Sequence, residues 1–221
     1  FRSIEMGLGK QSKVLNKSQI EMVSQYLRSK RNGLRNETIF LLSVKSGLRS
    51  KEISQLQWKY VLKSDGDTID DYINLPNSSS KGKSGRIIPL HKSIRENLQL
   101  LLVEHKKYRP FDLNSSFIVR TERSPFTSSQ SVVNMFQGWY RKLGLLGCSS
   151  HSGRRTFITE TSKKISLVGG SLRDIQMMVG DLLLAPSQNL GHEFQATIPN
   201  TLLFSCSYSK IQLSYLYTLI R

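Results

Sequence analysis

The sequence predicts an α+β fold, mostly helical, with a small three-stranded antiparallel sheet. Three observations carry this. Apolar residues recur at helical spacing through residues 18–57. Between residues 60 and 90 the period shortens to two, with Ser- and Gly-rich turns between short apolar runs. Helical spacing then returns from residue 92. Helices and strands come in blocks rather than in alternation, which excludes a doubly wound parallel sheet. Neither GxxxxGK[ST] nor GxGxxG occurs, so nucleotide binding has no support in the sequence.

Each element has a local reason. Residues 1–16 are polar and read as a linker or arm. Ser18-Gln19-Ile20-Glu21 has the form of a capping box, and Ile20, Val23 and Leu27 then share a helical face over 18–30. Asn36 is placed to cap a second helix through Ile39, Leu42 and Val44, which Gly47 stops. A short third helix covers about 50–57. Tyr60 to Leu62, Thr68 to Leu75 and Arg86 to Leu90 are the three expected strands. Ser64-Asp65-Gly66-Asp67 and the run 77–85 are their turns. Helices follow over 92–107, 128–142 and 150–165. Ser171 caps a last one through Met178.

The 221 residues suffice for one domain with a substantial core. No apolar run approaches the ~20 residues of a membrane span, so no membrane association is expected. The first sixteen residues hold no apolar signal segment, and the chain begins at Phe1, as a fragment or processed product would. Cys148 and Cys206 are the only cysteines, too few for a disulfide framework and consistent with a reducing compartment. The net charge of +16 implies a polyanionic partner. That charge is uneven. Residues 182–221 carry only Lys210, Arg221 and Glu193, and are rich in Leu, Ser and Tyr.

Three stretches have residue types suited to phosphate chemistry. In Ser46-Gly47-Leu48-Arg49-Ser50-Lys51-Glu52-Ile53, followed by Leu56 and Trp58, the glycine stop puts Arg49 between two helices, with Glu52 three residues on. Alone, this also reads as a surface ion pair. Ser80-Lys81-Gly82-Lys83-Ser84-Gly85-Arg86-Ile87-Ile88-Pro89-Leu90 is a cationic turn leading into a strand, equally readable as a solvated hairpin tip. In His151-Ser152-Gly153-Arg154-Arg155-Thr156, His151 and Arg154 share a helix face. Histidine suits proton transfer near neutrality, and arginine suits a two-pronged grip on phosphate.

In this order the stretches resemble the catalytic domain of tyrosine recombinases, the lambda-integrase-like phage integrases. Ser46 to Trp58 is similar to the family's TGLRxxE…L.W box. Lys81, Arg86, Pro89 and Leu90 match its hairpin lysine and "PL" strand end. His151 to Thr156 matches its HxxRRT box, and Ser171 to Gly180 resembles the helix before its "GH" step. The resemblance implies a catalytic domain over 17–181, a linker or arm over 1–16 and a divergent tail over 182–221. It implies site-specific recombination or integration of double-stranded DNA through a 3′-phosphotyrosine, without metal or other cofactor. Arg49 and Arg154 would neutralise the phosphate, Lys81 would act as general acid, and His151 would assist at the nucleophile. Family members act as tetramers on paired sites, so a homo-oligomer is expected. The expected location is cytoplasmic, on nucleoid DNA.

The sequence departs from the family after Gly180. In an ungapped alignment Asp181 replaces the family's histidine, and Leu190 replaces the tyrosine nucleophile. Leucine has no nucleophilic atom. Of the tail tyrosines, Tyr208 is the nearest candidate for a displaced nucleophile, although an aromatic packing role suits it better. The resemblance and the charge density stop together, so the tail is expected to be out of frame or the product of a decayed gene. Two alternatives to an active recombinase follow: a non-catalytic DNA-binding relic, and a basic RNA-binding protein. The last lacks any RNP-like or KH-like motif.

Overall fold

A computed structural model describes residues 11–76, 85–107, 111–168 and 170–180. The elements are α1 (Lys17–Arg28), α2 (Gly33–Ser46), α3 (Ser50–Ser54), a 3₁₀ turn (Trp58–Tyr60), β1 (Tyr72–Leu75), β2 (Arg86–Pro89), α4 (Lys92–His105), α5 (Ser129–Lys142), α6 (Ser152–Lys164), a second 3₁₀ turn (Ile165–Val168) and α7 (Leu172–Val179).

The centre of the fold is α2. Ile39, Phe40, Leu41, Leu42 and Val44 are all buried, so this helix is apolar on more than one face. It packs against α1, α4 and α6. Close approach of α6 depends on Gly153, because a Cβ there would fall on the Ser43 side chain. Phe40, Trp58, Phe136 and Tyr140 fill the same core. Trp58 donates its Nε1–H to His105 Nδ1 at 3.3 Å, and the two rings meet edge to face.

The sheet has two strands among the described residues, not three. β1 and β2 pair antiparallel, with Ile73 opposite Ile88 and Leu75 opposite Arg86. The stretch expected as the first strand is instead the 3₁₀ turn and a single bridge, Leu62 to Ile69. Trp58 causes this. Its buried ring folds the following residues back, so that the Val61 and Leu62 amides bond to the Trp58 carbonyl.

Two caps also differ from expectation. α1 is capped by Asn16, in a reciprocal box with Gln19, rather than by Ser18. The preceding Leu15 is buried and its N–H donates to Thr156 Oγ1, which fixes where the helix starts. α2 starts four residues earlier than expected, after Asn32 in the left-handed conformation (φ 57°). Asn36 lies inside the helix, where its side chain donates to the Arg31 carbonyl and accepts from Arg35. α3 stops at Ser54, short of the expected residue 57.

Candidate functional site

Gly47 ends α2 with φ +65°, a conformation open to glycine at little cost. The chain turns sharply there, and Arg49 becomes the residue that opens α3. Glu52, in the first turn of α3, accepts the Arg49 backbone N–H at 2.8 Å and its Nη1 at 3.2 Å. The Glu52 carboxylate also accepts Nη2 of Arg86, at 2.9 Å to each oxygen. Both members of that pair are buried, Glu52 at 1% exposure and Arg86 at 8%.

Arg154 comes from the first turns of α6 and is 6% exposed. Its Nη1 donates to the Gly47 carbonyl at 2.6 Å and its Nη2 to the Val179 carbonyl at 2.7 Å. Arg49 Nη1 also donates to Val179 O, at 3.5 Å. Val179 is the last residue of α7, where carbonyls lack an intrahelical partner and carry the negative end of the helix dipole. Gly180 follows at φ +64°, and a Cβ on it would lie 3.0 Å from Arg86 Nη1. The ends of α2 and α7 and the starts of α3 and α6 thus converge on three guanidinium groups.

Arg49 and Arg86 share the Glu52 carboxylate, Arg154 is held by the Gly47 and Val179 carbonyls, and both Arg86 and Arg154 are buried. Charge out of water is costly unless paired or hydrogen-bonded, and Glu52 and the two backbone carbonyls supply that pairing among the described residues. Lys45 sits two residues before Gly47, and its ammonium is pushed below the usual lysine range by burial and then by the charges of Lys164 and Lys17.

The structure brings Arg49 and Arg154 to one carbonyl oxygen. It places His151 just before α6, exposed, with its backbone N–H on Ser149 Oγ at 3.2 Å. Lys81, Asp181, Leu190 and Tyr208 lie outside the described residues. Among the described residues no three metal-capable side chains gather, and no helix is long and apolar enough to cross a membrane.

Sequence reasoning used Arg86 only as a spacing mark and missed its ion pair. A signal was present: Arg86 and Ile88 are two apart in a strand, so the arginine points to the same inward face as the buried isoleucine. A cation at an inward position calls for a buried partner. The roles of the Gly47 and Val179 carbonyls carry no side-chain signature.

Comparison with solved structures shows the same fold. An integrase of the Tn1549 transposon, in complex with circular intermediate DNA, matches with a TM-score of 0.59 at 18% identity, over 79% of this chain and 60% of that one. XerA recombinase matches with a TM-score of 0.61 at 19% identity, over 76% of this chain and 56% of that one. The XerH site-specific recombinase bound to difH substrate matches at 0.57 and 20% identity, over 77% and 47%. This chain therefore spans less than two thirds of each of these proteins. No curated protein sequence matches it. The model of one family spans residues 13–180, from the arm before α1 to the glycine that ends α7, and so takes in every element converging on the arginine cluster: the chain belongs to the phage integrase family.

Proposed function

We propose that the chain binds double-stranded DNA and carries the phosphodiester site of a site-specific recombinase, for strand breakage and rejoining. The observation that carries this is the convergence of Arg49 and Arg154 on the Val179 carbonyl, within a family-matched segment. Preorganised cations are what phosphoryl transfer needs, because charge builds on the non-bridging oxygens at the transition state. Arg49 and Arg154 neutralise that charge. A tyrosine oxygen attacks phosphorus, the bond to the 5′-oxygen breaks, and Lys81 protonates the leaving oxygen. His151 handles the proton of the attacking phenol. The product is a 3′-phosphotyrosine and a free 5′-hydroxyl, whose attack reverses the step and joins strands. Assembly of several copies on paired sites, on cytoplasmic nucleoid DNA, belongs to the same reading.

A second reading, a DNA-binding relic without chemistry, is favoured by Leu190 at the expected nucleophile position. The two differ in a covalent adduct. The chain is incubated with a library of duplex DNA, denatured in detergent, and assayed for DNA that stays attached. An adduct lost in Arg154→Lys supports the recombinase, and its further loss in Tyr208→Phe identifies a displaced nucleophile. DNA binding without any adduct supports the relic.

A further inference from the structure

We propose that Arg86 is a positioning residue that occupies Glu52 from the sheet side and so keeps Arg49 available to a DNA phosphate. The proposal rests on the phosphate-site reading above and deepens it.

Arg86 cannot touch DNA itself. Its side chain is 5% exposed and lies beneath Gly180. Its Nη2 spans both oxygens of Glu52 at 2.9 Å, while Nε and Nη1 are buried without a hydrogen-bond partner. An arginine held for packing alone would be a poor choice here, because two buried donors are left unmet. What it supplies is a positive charge beside Glu52.

That charge matters to Arg49. Glu52 is needed where it is, because it accepts the Arg49 backbone N–H and opens α3. Its carboxylate also accepts the Arg49 guanidinium, at 3.2 Å from Nη1. With Arg86 absent, the whole negative charge of a buried carboxylate would fall to Arg49. The guanidinium would be drawn onto it, in competition with phosphate. With Arg86 present the carboxylate is already paired, and Arg49 keeps its partly exposed position with a side chain 20% accessible.

The test is a charge-balanced suppressor, read by equilibrium binding of the full chain to a fluorescent duplex at fixed salt. Arg49→Ala calibrates the phosphate site. Arg86→Gln is expected to weaken binding three- to tenfold. Glu52→Gln added to Arg86→Gln is expected to restore it to within about twofold, since the competing charge is gone while an amide oxygen still accepts the Arg49 N–H. A residue that merely held the fold would not be rescued by removing its partner's charge. If Arg86→Gln unfolds by circular dichroism, Arg86→Lys replaces it, with near-native binding expected because one nitrogen makes the Glu52 contact. Binding that stays weak in the double variant, or in Arg86→Lys while Arg49→Ala is also weak, overturns the positioning role alone. No loss in Arg49→Ala overturns the phosphate-site reading, and the positioning role falls with it.

Discussion

Arg154 donates to the carbonyl oxygen of Val179 at 2.7 Å, tying the start of α6 to the end of α7 across 25 residues of sequence. The guanidinium proposed to address a phosphate is thus also a strut of the fold. Arg154→Ala therefore removes a structural tie as well as a cation. Two charge-assisted hydrogen bonds at a buried site are lost, so Arg154→Ala is expected to cost about 2–4 kcal/mol. Urea unfolding measures it. Arg154→Lys, which keeps the charge, should recover part of the loss.

Gly47 is the second strut. A Cβ at this position would stand 2.5 Å from Phe157 Cδ1, on a backbone already at φ +65°. Overpacking and left-handed strain together predict a loss of roughly 2–4 kcal/mol for Gly47→Ala. The same change displaces the carbonyl that Arg154 Nη1 uses, so DNA binding should fall beyond what unfolding explains. Binding measured well below the melting temperature separates the two effects.

His105 predicts a pH dependence of stability. Burial, and then the charge of Arg120, lower its pKa from 6.5 to about 4. Its Nδ1 accepts from Trp58, which requires the neutral ring at that atom. Below pH 6.5 the unfolded chain takes up a proton that the folded chain refuses. Stability is therefore full above that pH, falls as pH drops towards 4, and levels off below. The contribution of this group is about 3 kcal/mol. His105→Gln should flatten the urea midpoint between pH 6.5 and 4, at lower stability overall. An unchanged slope would reject the assignment.

Asp181 offers a test of the departure from the family. In the ungapped alignment Asp181 stands where the family has histidine, so the proposed phosphate site predicts a repulsive carboxylate there. Repulsion between unit charges about 5 Å apart in water is about 0.8 kcal/mol, so Asp181→Asn should tighten duplex binding roughly fourfold. Competition binding at low salt resolves a change of that size.

Much of this was legible in the sequence. Arg49 and Arg154 announce themselves because glycine stops and short polar boxes are local features, and local features survive without tertiary knowledge. Helices were legible for the same reason, since α1, α4 and α5 each carry an apolar stripe. The start of α1 was not, because Asn16-x-x-Gln19 and Ser18-x-x-Glu21 both have the form of a cap box. Only the burial of Leu15 against α6 decides between them. The missing third strand has the same origin: Tyr60, Val61 and Leu62 are β-formers that Trp58 recruits into a turn. The Arg86–Glu52 pair spans 34 residues, and no local pattern predicts which carboxylate a buried arginine will find.

Contact between Arg49 and a DNA phosphate is tested most directly by a salt titration. The slope of log K against log salt counts neutralised phosphates, at about 0.9 per contact on duplex DNA. Arg49→Ala should lower that slope by about 0.9 and weaken binding at every duplex sequence tried. A folded Arg49→Ala protein with the wild-type slope and affinity would contradict the account.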